Sequence, residues 1–166
     1  YSHKIKKMPL IGNLSSALLS ISPFFAIFLY FKNYNALIYI FGFYLFLILA
    51  MRELIKDLEN IKGDLALDYQ TVPVVYGESL TKWLFTLMIL TNTAVSLFLV
   101  LNFDLGLMDY FFIYSILTLI ICLSLTWLTT SHKYYNLVHN MLKLLIFLGV
   151  LSIILLDPAL IINKIF

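Results

Sequence analysis

Long uncharged stretches constrain this chain more than any other feature. No charged side chain occurs from Met8 to Phe31, from Asn33 to Met51, from Trp83 to Phe103 or from Tyr110 to Ser131. A fifth apolar run, Leu137 to Leu156, carries only His139 and Lys143, in what would be its first two turns. Each run is close to the roughly 20 residues that a helix needs to cross a bilayer. A transmembrane strand needs only about 9–11 alternating residues, and these runs are longer and do not alternate. The chain is 62% hydrophobic and 12% charged, too little polar surface for a water-soluble domain of 166 residues. That excludes a cytosolic globular protein, a disordered tail and an ordinary nucleic-acid binder. We expect one all-α membrane domain over 1–166, with spans near 9–31, 34–57, 80–103, 108–131 and 137–156.

Alternating the five spans across a bilayer sorts the basic residues. One side holds Lys4, Lys6, Lys7, Arg52, Lys56, Lys62, Lys82, Lys133 and Lys143; the other holds Lys32 and Lys164. This asymmetry predicts that the lysine-rich side is cytoplasmic. The longest polar insertion, Arg52 to Lys82, lies on that side, and so should the working face. The single cysteine, Cys122, sits in an apolar run and reads as a small buried hydrophobe.

The insertion opens with Arg52-Glu53-Leu54-Ile55-Lys56-Asp57-Leu58-Glu59-Asn60-Ile61-Lys62-Gly63-Asp64. On a continuous helix Glu53, Asp57, Asn60 and Asp64 fall within about 60° of one another. Three like charges on one face repel, so a compensating positive charge is expected. Arg52 and Lys56 could supply it, and so could a bound cation. Carboxylate and amide oxygens without cysteine or suitably spaced histidine suit Mg²⁺, which keeps several waters and bridges to phosphates. A solvated helix end is the other reading of the same residues. Asn13 lies early in an apolar helix, where an unpaired amide is costly; it either bonds a neighbouring helix or orients the polar site.

The pattern Arg52-Glu53, Lys56-Asp57, Glu59, Gly63-Asp64, followed by Thr71-Val72-Pro73 and Tyr76-Gly77, resembles the second aspartate-rich motif of the UbiA superfamily of intramembrane prenyltransferases. Tyr1-Ser2, the basic run Lys4, Lys6, Lys7 and then Pro9-Leu10 with Gly12-Asn13 resemble the family's stretch between its fourth and fifth helices. The flavour is that of the geranylgeranylglycerol-phosphate geranylgeranyltransferase branch. The resemblance implies a nine-helix bundle of which this chain holds helices five to nine. It also implies Mg²⁺ and transfer of a prenyl group from an isoprenoid diphosphate to a hydrophobic or amphiphilic acceptor, with the missing helices as partners.

Under that resemblance Asp57, Asp64 and Lys56 are the catalytic candidates, and Asp57, Asp64, Asn60 and Glu53 the metal ligands. Tyr1, Lys4, Lys6, Lys7, Asn13 and Arg52 become substrate-binding candidates. Relatives often carry an aspartate where this chain has Asn60. No second acidic cluster exists in the sequence, so the first aspartate-rich motif is missing and the chain alone should be inactive. We expect an integral protein of a bacterial inner membrane with a cytoplasmic active face and no nucleic-acid partner. A quinone-pathway prenyltransferase acting on 4-hydroxybenzoate or naphthoate, or an inactive truncated membrane protein, remain the alternatives. Thr71-Val72-Pro73 is expected to fix a turn over the site rather than to touch it.

Overall fold

In a computed structural model, residues 9–30, 32, 36–103, 105–128 and 131–152 are described. They form six helices: α1 (Ile11–Tyr30), α2 (Ala36–Glu59), α3 (Ile61–Ala66), α4 (Val72–Asn102), α5 (Met108–Leu128) and α6 (His132–Ser152). The described residues contain no strand. Among them α2, α4, α5 and α6 are long and apolar enough to cross a membrane, and α1 adds a shorter apolar stretch, Ile11–Ala26.

The bundle is built around α2, which packs on α1, α4 and α6, while α5 bridges α4 and α6. The reason is in the α2 sequence. Phe41, Tyr44, Leu45, Ile48, Met51, Ile55 and Leu58 recur at helical spacing and are buried. Tyr44 meets Phe41 and Phe112 with ring centroids at 5.7 and 5.3 Å. Gly42 permits the contact with α1, because a Cβ there would collide with the Phe25 ring. Between α2 and α4, buried Asn92 donates to the Tyr44 carbonyl at 2.9 Å.

Pro23 lies inside α1 and removes the N–H that would bond the Leu19 carbonyl. The Ser22 hydroxyl donates to that carbonyl instead, at 2.8 Å. This side-chain bond satisfies the carbonyl that the proline leaves without its helical donor.

Two helices begin earlier than the expected spans. Helix α4 starts at Val72, eight residues before the expected 80, with Pro73 in its first turn and a break in helical geometry at Gly77 (φ 83°, ψ 164°). Only glycine takes that conformation without strain. Lys82, inside both the expected span and α4, is buried with Nζ 5.7 Å from the Tyr135 ring centroid. Helix α6 starts at His132 rather than 137, so Lys143 is its twelfth residue and not a member of the first two turns.

Candidate active site

The aspartate-bearing segment is not one continuous helix. Helix α2 ends at Glu59, Asn60 departs from helical geometry (φ −107°, ψ 18°), and α3 resumes at Ile61. The backbone bonds Asn60 N–H to Lys56 O at 3.1 Å and Asp64 N–H to Asn60 O at 2.9 Å persist across the break. The helical register is thus nearly kept, and Asp57 and Asp64 stay close enough to repel one another.

Each aspartate is held by one neutral donor from another element. Asn13 Nδ2, in the first turn of α1, donates to Asp57 Oδ2 at 2.9 Å. Thr71 Oγ1 donates to Asp64 Oδ2 at 3.2 Å. Thr71 precedes α4 in extended geometry, the position where a threonine hydroxyl usually caps the helix, yet it makes no side-chain cap bond. Its hydroxyl turns to Asp64 instead. The chain returns from α3 to Thr71 through Asp68, at φ 56°, and a bond from Tyr69 N–H to Asp64 O at 2.9 Å. Among the described residues, the Oδ1 atoms of Asp57 and Asp64 accept no hydrogen bond.

The other candidates are distributed differently. Glu53 ion-pairs with Arg52 at 3.2 Å and Lys56 at 3.6 Å, so the compensation expected for the acidic stripe comes at this position from its own neighbours. Arg52 Nε is buried without a hydrogen-bond partner. Asn60 Nδ2 donates to Lys56 O at 3.0 Å. Asn60 also lines a separate cleft of about 380 Å³ with Glu59, Lys62, Glu78, His132 and Tyr135, which neither Asp57 nor Asp64 lines. Glu59 accepts from Asn136 Nδ2 at 2.8 Å and lies 3.8 Å from His132 Nε2, which ties the end of α2 to α6. Tyr1, Lys4, Lys6 and Lys7 lie outside the described residues.

Sequence reasoning missed the Thr71 contact. Thr71-Val72-Pro73 is expected from sequence to fix a turn over the site without touching it, and nothing in the spacing says that the Thr71 hydroxyl turns seven residues back to bond Asp64. For Asn13, both sequence readings meet in one bond: it joins α1 to α2, and its acceptor is an aspartate of the motif. Cys122 is buried, as its surroundings in sequence imply.

The donor set fits Mg²⁺. No group of three His, Cys, Asp or Glu among the described residues is arranged to enclose a metal. Two half-buried carboxylates, each with one oxygen fixed and one unbonded, match an ion that takes one or two carboxylates and completes its shell with water and substrate phosphate.

The profile of the UbiA prenyltransferase family matches residues 1–145. A digeranylgeranylglyceryl phosphate synthase of Methanosphaera stadtmanae is 36% identical over 125 residues, covering 73% of this chain and 41% of that relative. The synthases of Methanobrevibacter smithii and Pyrococcus furiosus are 33% and 34% identical over 85 and 83 residues, covering 49% and 47% of this chain and 29% and 28% of theirs. The chain thus spans less than half the length of these curated relatives. No solved structure matches. With the family profile covering most of its length and four helices able to span a bilayer, the chain belongs to the UbiA prenyltransferase family of integral membrane proteins.

Proposed function

We propose that this chain carries one half of a Mg²⁺-dependent prenyltransferase centre on the cytoplasmic face of a cell membrane, acting on an isoprenoid diphosphate donor and a glycerol-phosphate lipid acceptor. The observation that carries this reading is the pair Asp57 and Asp64, each oriented by one hydrogen bond and each presenting a second oxygen. The acceptor class follows from the digeranylgeranylglyceryl phosphate synthases among the relatives.

The chemical difficulty is charge separation. The allylic C–O bond of the donor breaks with its electron pair going to diphosphate, the allylic carbon becomes cationic, and an acceptor oxygen bonds to it while its proton passes to the released diphosphate. Mg²⁺, when bound, would neutralise the leaving diphosphate. Asp57 and Asp64 would hold that ion, with Glu53 as an outer candidate. Lys56 and Arg52 would donate to phosphate oxygens by releasing Glu53, together with Lys4, Lys6 and Lys7. Tyr1 would face the cation or the acceptor. Asn13 and Thr71 would hold the aspartates in one rotamer so that little reorganisation accompanies bond breaking. The apolar helices keep water from the cation.

The test joins the chain to the remaining portion of a matched relative and measures prenyl transfer from geranylgeranyl diphosphate to a glycerol-phosphate lipid during Mg²⁺ titration. Turnover should require the joined portion and Mg²⁺. Asp57→Asn and Asp64→Asn should each lower it about 10²–10³-fold. Full activity in both aspartate variants, or turnover by the chain alone, would overturn the proposal.

A further inference from the structure

Helix α3 carries Asp64, yet none of its residues is buried. A six-residue helix without a buried face is held only weakly by packing. Its placement therefore depends on the joints at its two ends. Thr71 secures the far joint through the Asp64 carboxylate, at 3.2 Å. The near joint is the break at Asn60, and Glu59, the residue before it, is tied sideways to α6.

That tie is built from one stripe of α6. His132, Asn136 and Asn140 follow one another at four-residue spacing, which keeps them within about 80° on the helix surface. Asn140 Nδ2 donates to Asn136 Oδ1 at 2.8 Å, and Asn136 Nδ2 donates to Glu59 Oε1 at 2.8 Å. The first bond engages the Asn136 carbonyl, so its amide nitrogen is the end left to face Glu59. His132 Nε2 lies 3.8 Å from the same Glu59 oxygen. The Glu59 side chain is only 11% exposed. A carboxylate so far removed from water is costly unless it is hydrogen-bonded or paired. Among the described residues, the hydrogen-bond and ion-pair partners of the Glu59 carboxylate all lie on α6. Glu59 also lines the cleft that neither Asp57 nor Asp64 lines, so it is not placed as a ligand beside them.

We propose that Glu59 and Asn136 are positioning residues of the metal centre: their bond fixes where α2 stops and α3 departs, and thereby how far from Asp57 the Asp64 carboxylate is presented. Asp57 lies two residues before Glu59 on α2, whereas Asp64 lies beyond the break. The backbone bonds from Asn60 N–H to Lys56 O and from Asp64 N–H to Asn60 O carry the register across the joint. The bond to α6 holds that joint against the bundle and acts on the ion through it. This inference rests on the reading of Asp57 and Asp64 as metal ligands.

The experiment takes the chain joined to the remaining portion of a matched relative, in detergent, and follows Mn²⁺ binding by electron paramagnetic resonance. Asn136→Ala should weaken binding about tenfold. Asn136→Asp sets a second carboxylate against Glu59 and should weaken it at least as much. Combining Asn136→Asp with Glu59→Gln exchanges donor and acceptor across the same gap, and should return the affinity to within about threefold of the parent. A second readout needs no metal. Spin labels at Lys62→Cys in α3 and Leu107→Cys between α4 and α5, with other reactive cysteines removed, should give a distance distribution that broadens in Asn136→Ala and narrows again in the exchanged pair. Parent-like Mn²⁺ binding or an unchanged distribution in Asn136→Ala, or no recovery in the exchanged pair, while Asp57→Asn and Asp64→Asn are impaired, would overturn this proposal alone. Parent-like binding in the two aspartate variants would overturn it together with the metal reading on which it rests.

Discussion

Asn13 and Asp57 are 44 residues apart in sequence, yet the Asn13 amide donates a 2.9 Å hydrogen bond to the Asp57 carboxylate. The bond crosses from the start of α1 to the end of α2, and it holds one of the two carboxylate oxygens of Asp57. Thr71 performs the same task for Asp64 from the start of α4. Two helices that carry no acid of the motif thereby set its geometry.

Replacing these donors should therefore weaken metal binding before it weakens folding. Asn13→Ala and Thr71→Val should each raise the Mg²⁺ needed for half-maximal rate by about 10–100-fold, the usual cost of removing a bond that orients a ligand. Thr71→Ser keeps the hydroxyl and should behave as the parent chain. Mn²⁺ binding followed by electron paramagnetic resonance gives a readout free of turnover. Unaltered metal affinity in both Asn13→Ala and Thr71→Val would show that the two bonds only pack helices.

Asn60 is predicted to matter less than its place in the motif implies. Its amide nitrogen holds the Lys56 carbonyl near the end of α2, which is a structural duty. Asn60→Ala should cost roughly 1 kcal/mol of stability or less and leave the Mg²⁺ requirement unchanged. A Mg²⁺ titration of the variant decides the matter, since a tenfold rise in the requirement would make Asn60 a ligand.

Gly42 is a packing requirement rather than a hinge. Any Cβ at this position meets the Phe25 ring, so Gly42→Leu should separate α1 from α2 at a cost of about 1–3 kcal/mol. Because Asn13 rides on α1, the same variant should also weaken metal binding. Gly42→Leu combined with Phe25→Ala should recover much of both, measured by thermal unfolding in detergent and by Mn²⁺ binding.

Topology can be read from two described positions between the long helices. In a Cys122→Ala background, a cysteine at Gly106, between α4 and α5, should react with an impermeant thiol reagent added outside intact cells. One at Lys62, in α3, should react only after the cells are opened. The reverse pattern would invert the orientation inferred from the lysine and arginine distribution.

Membrane residence and helical class were legible in the uncharged runs, because a bilayer admits few alternatives to long apolar helices. The acidic register was legible as well: 3.6 residues per turn places Asp57 and Asp64 on one face, and the break at Asn60 barely disturbs it. Tertiary structure alone decided which donor meets which carboxylate. Asn13 and Thr71 reach Asp57 and Asp64 because α1 packs along α2 and because the chain folds back after α3. It also decided that Glu59 ties α2 to α6 and that Lys143 lies deep along α6. Helical periodicity specifies the face of a residue on its own helix, whereas a contact between helices depends on crossing geometry, and no local spacing encodes that.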